Sequence, residues 1–191
     1  NIWVNENEIH GSYNDNDGNG FNGDRHGYNF ASDRGYISAT GSNDTGHGTH
    51  VAGTISAVNN NNFAGCGIAG GTGNGDGVRL MSIQIFENEE GCYSHQIAQA
   101  FKYAADNGAV VMQCSWGYPS GAILNDGSFA RYSRVEMEGI DYFIKNGGSA
   151  NGPMEGGLAI FAAGNEMGAI PGYPAAYKSC IAVTSFGPAL K

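Results

Sequence analysis

The sequence predicts an α/β fold, a three-layer sandwich with a mainly parallel sheet. Three observations carry that expectation. Apolar runs of strand length alternate with amphipathic segments of helix length from residue 78 onward, the pattern of a parallel sheet covered on both faces. The strand candidates are continuously apolar rather than alternating, as doubly buried parallel strands are. Glycine, 32 of 191 residues, punctuates the apolar segments, which marks tight loops in a folded chain rather than low complexity.

The elements follow in order. Residues 1–30 are polar and loop-like, dense in Asn, Asp and Gly. Residues 47–58 read as a helix of small residues without charge (Gly48, Ala52, Gly53, Ser56, Ala57), expected to be buried centrally. An Asn- and Gly-rich loop spans 59–77, and VRLMSIQIF (78–86) reads as a strand. Ser94 to Asp106 reads as a helix with Ile97, Phe101, Ala104 and Ala105 on one face, Ser94 at the N-cap and Gly108 just past the end. AVVMQC (109–114) is a strand. A long loop precedes a helix over about 133–145, with Val135, Ile140, Phe143 and Ile144 facing inward. LAIFAA (158–163) and CIAVTS (180–185) complete the strands.

The composition narrows the function. With 41% hydrophobic residues the 191-residue chain can build one domain-sized core. The net charge is −9, with nine Lys plus Arg and no basic stripe, which argues against nucleic acid as a partner. An acidic surface with Asp/Asn clusters suits calcium and a secreted or cell-envelope setting. Cys66, Cys92, Cys114 and Cys180 form no C-x-x-C pair and no zinc spacing; they are expected to be small buried hydrophobes, and a single disulfide stays open. No apolar run approaches the roughly 20 residues that span a membrane. The chain starts at Asn1 without a signal peptide, so the expectation is a processed product or an excerpt of a longer chain.

In parallel sheets ligands bind beyond the carboxyl ends of the strands. That places Ser115-Trp116-Gly117 and Gly164-Asn165-Glu166 at candidate positions. The stretch NDTGHGTHVAGTISA (43–57) adds two histidines, His47 and His50, three apart. Three readings stand side by side. The pair shares a helix face and could be half a zinc site, although His10, His26 and His95 are isolated. Both rings could pack in a core, the expectation for His50. His47, flanked by Gly46 and Gly48, has the clear surroundings of an accessible base.

In YNDNDGNGFNGD (13–24), Asp15, Asp17, Asn19 and Asp24 alternate with glycines. Oxygen ligands at alternate residues with glycine at the bends is how a loop wraps calcium; a solvated acidic turn is the plainer alternative. The NNNN run (59–62) is a weaker second candidate.

HGTHVAGTISA closely resembles the histidine motif of the subtilisin-like serine proteases. Further segments agree in order. QCSWG (113–117) resembles the family's substrate-binding strand edge, and FAAGNE (161–166) its oxyanion-hole segment. GYPAAYKSCIAVTS (172–185) resembles the stretch that follows, with Tyr173-Pro174 often cis in the family. The resemblance implies a subtilisin-like serine endopeptidase with polypeptide substrates and a structural calcium. His47 would be the general base and Asn165 the side-chain oxyanion donor. Ser115, Trp116, Gly117 and Gly164 would bind substrate backbone. Gly172 would leave room for a large P1 side chain, and Glu166 at the rim would favour a basic or aromatic one.

The family's triad runs Asp, His, Ser. The aspartate segment is expected before Asn1 and the serine segment after Lys191, so residues 1–191 are expected to be the central part of a catalytic domain. The remainder would come from the same or another chain. Gly147-Gly148-Ser149-Ala150-Asn151 fails G-x-S-x-G, and Asp44 is too close to His47 in sequence to come from a separate element. The alternative function is a non-catalytic peptide-binding fragment or pseudoprotease of the same fold.

Overall fold

A computed structural model of the chain describes residues 1–39, 45–88, 90–149 and 152–187. Asp44, Ala150 and Asn151 lie outside the described residues. The chain is an α/β protein made of two compact units, Asn1–Cys92 and Tyr93–Lys191.

In the first unit, β1 (Gly27–Asn29) pairs in parallel with β2 (Ser82–Gln84), Gly27 opposite Ser82 and Asn29 opposite Gln84. Gly27 has φ 119°, and a Cβ there would fall 1.8 Å from the Ser82 carbonyl oxygen. Only glycine lets the two strands close at that point. An edge-to-face cluster of Phe21, Tyr28 and Phe30, with centroids 5.0–5.6 Å apart, fills the core beside the pair. Helix α1 (His47–Ser56) follows, and loop 67–69 is fastened along its C-terminal turn by Ile68 N–H to Thr54 O and Ala69 N–H to Ile55 O. The strand expected over 78–86 is divided: β2 ends at Gln84, and β3 (Phe86–Glu87) turns back on β4 (Glu90–Gly91) as an antiparallel hairpin.

The expected central burial of α1 is not observed. Only Ser56 of its residues is buried, and His50 is exposed. Its small side chains suit a close neighbour, but none of the described residues covers most of its surface.

The second unit matches the predicted alternation. Helix α2 (Ser94–Asp106), strand β5 (Val111–Cys114), helices α3 (Asp126–Tyr132) and α4 (Arg134–Asn146), and strands β6 (Leu158–Ala162) and β7 (Ile181–Val183) follow one another. The sheet runs β5-β6-β7, all parallel, with Val111 opposite Leu158 and Ile160 opposite Ile181. Helices α2 and α4 pack together where Gly139 replaces a side chain whose Cβ would lie 2.9 Å from Ala98 Cα. Ile97, Phe101, Ile140, Phe143, Met112, Ala159 and Phe161 form the buried core between helices and sheet.

Four expectations need correction in this unit. Tyr93, not Ser94, is the N-cap of α2, and its N–H donates to Gln96 Oε1 at 2.9 Å. Val135 is exposed at 41%, one step off the inward stripe of Ile140 and Phe143. Helix α3 was unexpected; its only strong signal is Asn125, whose Oδ1 accepts the Ser128 N–H at 2.9 Å. Val111, Leu158, Ile181 and Val183 are exposed, so among the described residues the sheet is buried on one face rather than two.

Candidate functional site

His47 is the first residue of α1, in the first unit. Gly46 precedes it in the left-handed conformation (φ 65°), and the His47 N–H donates to Thr45 Oγ1 at 3.3 Å. A Cβ on Gly46 or Gly48 would meet nothing within 4 Å. The His47 ring is therefore exposed in open surroundings, as an accessible base requires. Among the described residues neither His47 nor His50 belongs to a group of three metal-ligating side chains, so the zinc reading gains no third ligand.

In the second unit the chain leaves β5 with its side chains alternating. Cys114 is buried. Ser115 is half-buried, and its Oγ accepts from Gln113 Nε2 at 2.7 Å. Trp116 turns inward, with its centroid 5.6 Å from Phe161 and 6.3 Å from Phe101. Gly117 is exposed, and Tyr118 turns inward again. An extended segment thus continues from an edge strand of the described sheet, anchored from below by two aromatic rings. Trp116 belongs to this aromatic core.

Beyond β6 lies Gly164 with φ 102°, followed by exposed Asn165 and Glu166. The Asn165 N–H donates to Glu166 Oε2 at 3.1 Å. A Cβ on Gly164 would lie 2.5 Å from that same oxygen, so glycine lets the Glu166 carboxylate fold back over the turn. Gly164, Glu166, Met167, Ala169, Ser120 and Thr184 line a concavity of about 170 Å³. Its wall is tied by Ser120 Oγ donating to Ile170 O at 2.9 Å. Gly172 is buried, and a Cβ there would fall 2.1 Å from the Tyr118 carbonyl oxygen. Its missing side chain makes room for the protein's own backbone, a different reason for glycine from the expected space for a P1 residue. The Tyr173-Pro174 bond is cis.

The acidic loop gathers more than the sequence suggested. Carboxylate oxygens of Glu8, Asp15 and Asp17 lie within 4.8 Å of one another. Glu8 is 2% exposed; its Oε1 accepts the Asn16 N–H at 2.8 Å, while buried Oε2 has no hydrogen-bond partner among the described residues. Asp24 is fully buried and accepts from Asn5 Nδ2 at 3.2 Å and Asn19 Nδ2 at 3.0 Å. Asn19 Oδ1 accepts the Phe21 N–H, so Asn19 braces the carboxylates with its amide. The N–H of Gly20, and after it those of Gly18 and Asn19, hold Asp15 below its ordinary value of 3.8. Three carboxylates with oxygens this close, one of them carrying a buried oxygen without a partner, fit a divalent cation such as calcium. Glu8 and Asn5 were missed by sequence reasoning; the acidic N-E-N-E run at 5–8 was the available signal.

The chain is similar to known proteins of one family. The profile of the subtilase family matches residues 4–189. Thermitase of Thermoactinomyces vulgaris is 31% identical over 147 residues, covering 77% of this chain and 43% of thermitase. A calcium-dependent protease of Nostoc sp. is 36% identical over 153 residues, covering 76% of this chain and 21% of that protein. Among solved structures, sphericase superposes with a TM-score of 0.60 at 25% identity, covering 85% of this chain and 47% of its own. The chain spans less than half the length of each of these proteins.

Proposed function

This chain belongs to the subtilase family, and we propose that it is the central part of the catalytic domain of a secreted or envelope-located serine endopeptidase. The observation that carries the reading is His47, exposed at the start of α1 inside the motif HGTHVAGTISA with open space on both sides. His47 takes the proton of the nucleophilic serine and returns it to the leaving amine. The Asn165 side-chain amide donates to the oxyanion as charge develops there. Extended substrate adds as a strand along Ser115, Trp116 and Gly117, with Gly164 and Gly172 shaping the adjoining turn. The P1 side chain enters the concavity bordered by Glu166, which disfavours an acidic residue. The aspartate that orients His47 and the serine nucleophile belong to the remainder of the domain, on the same or another polypeptide.

Calcium is the cation proposed for the acidic loop. Glu8, Asp15 and Asp17 would hold it, with Asp24, Asn5 and Asn19 bracing them. When bound, it neutralises the clustered carboxylates and stiffens a loop that has little apolar surface of its own.

The test uses the full-length protein. Labelling by a fluorophosphonate and hydrolysis of peptides are expected, with P1 Phe or Lys faster than P1 Glu. His47→Ala should lower turnover at least about a hundredfold while peptide binding persists. Tight peptide binding without labelling or hydrolysis would replace this reading with the non-catalytic peptide-binding module, and preference for P1 Glu would refute the role of Glu166.

A further inference from the structure

Three tyrosines of the second unit each donate the hydroxyl to a carboxylate on the α3–α4 pair. Tyr118 Oη donates to Glu136 Oε1 at 2.8 Å. Tyr173 Oη donates to Asp126 Oδ1 at 2.8 Å. Tyr177 Oη donates to Asp141 at 2.8 and 2.9 Å. Asp126 opens α3; Glu136 and Asp141 lie on α4.

The Tyr118 pair stands apart by the burial of its carboxylate. Glu136 is fully buried, and its Oε2 has no hydrogen-bond partner among the described residues. A carboxylate in that position carries a desolvation cost, and well-packed apolar groups often stabilise as much or more. Packing alone would be served by phenylalanine at 118, whose ring could keep the edge-to-face contact that Tyr118 makes with Tyr132 at 4.9 Å. What the hydroxyl adds is direction. Burial first, and then the Glu136 carboxylate, push the Tyr118 hydroxyl well above its ordinary value of 10.0, so it remains a donor.

Tyr118 is also the junction of the site's two backbone segments. Its N–H donates to the Tyr173 carbonyl at 2.6 Å. Its own carbonyl oxygen occupies the space beside Gly172, and a Cβ on Gly117 would lie 3.0 Å from Tyr173 O. A shift of the Tyr118 ring therefore moves Gly117 and Gly172 together.

We propose that Tyr118 and Glu136 are positioning residues: their partly buried hydrogen bond makes α4 a platform that holds the Ser115–Gly117 segment in register with the Gly172–Pro174 turn, and so sets affinity for extended peptide. This rests on the reading of Ser115–Gly117 as the substrate edge.

The experiment compares Tyr118→Phe, Glu136→Gln and Tyr142→Phe with wild type in the full-length protein. The substrates are an extended peptide and a single-residue ester that does not reach the strand edge. Tyr118→Phe should raise KM for the extended peptide about tenfold, the scale of one lost hydrogen bond, with kcat and the ester kinetics nearly unchanged. Glu136→Gln keeps an acceptor for the hydroxyl and should show a smaller rise. Tyr142 makes the same type of bond to Asp106 on an exposed face, and Tyr142→Phe should leave KM as it is. A Tyr118→Phe protein with a lower melting temperature but wild-type KM for the peptide would overturn the positioning role and leave the protease reading intact. Should the wild type bind peptide without cleaving it, the peptide Kd replaces KM and the same comparison decides. A wild type that neither binds nor cleaves peptide overturns both.

Discussion

Asn165 is a small exposed residue whose neighbours do the positioning. Gly164 supplies the left-handed turn, and the Glu166 carboxylate accepts the Asn165 N–H. The Asn165 N–H is thereby occupied, and the side-chain amide is the donor that the oxyanion reading uses. An interaction made only as charge develops changes turnover and not ground-state binding. Asn165→Ala should therefore lower kcat with KM nearly unchanged, measured on one peptide in the full-length protein. A rise in KM at constant kcat would contradict the oxyanion role. Gly172 illustrates a different lesson at the same scale. Its glycine was expected from a pocket and is accounted for by a backbone oxygen 2.1 Å from any Cβ.

At the level of elements, the second unit depends on the α2–α4 pair and its contact with β6. Gly139 lets the helices approach, and the fully buried Ile140, Phe143 and Phe161 fill the space beneath. Phe143 lies where α4 meets Gly157, the residue that leads into β6; a Cβ on Gly157 would fall 2.5 Å from its ring. Phe143→Ala removes a large buried ring at a site with little freedom to collapse. It should cost about 3–5 kcal/mol, read as a lower urea midpoint with an unchanged m-value. Val135, exposed on the same helix, bounds the stripe. Apolar periodicity located α4 and its inward residues Ile140 and Phe143, but over thirteen residues it could not settle the stripe's edge.

For the whole molecule, the acidic character and the glycine content converge on the first unit's loop. Chain order separates Glu8 from Asp15 and Asp17, and folding gathers their oxygens within 4.8 Å. Such a cluster repels itself unless a cation is present. Chelation with EGTA should lower the melting temperature of the full-length protein by several degrees. For free calcium at about a hundred times its Kd the loss is about 2.7 kcal/mol. Glu8→Gln should remove most of that calcium dependence. A melting temperature indifferent to EGTA would refute calcium at this loop.

Sequence alone determined the α/β class, the parallel direction of the later strands, the bounds of α2 and the family. These follow from local signals: apolar period, the glycine just past α2, and several family-like segments read in chain order. Two segments that resemble the family's, HGTHVAGTISA and FAAGNE, singled out His47 and Asn165 as candidates. Tertiary structure decided the rest. Glu8 joined the acidic loop, Tyr118 found Glu136, and Gly172 met the Tyr118 carbonyl across gaps of 7, 18 and 54 residues. The physical reason is common to all three. A buried carboxylate or a missing Cβ is explained by the atom it faces, and which atom that is depends on packing in three dimensions that no local pattern encodes.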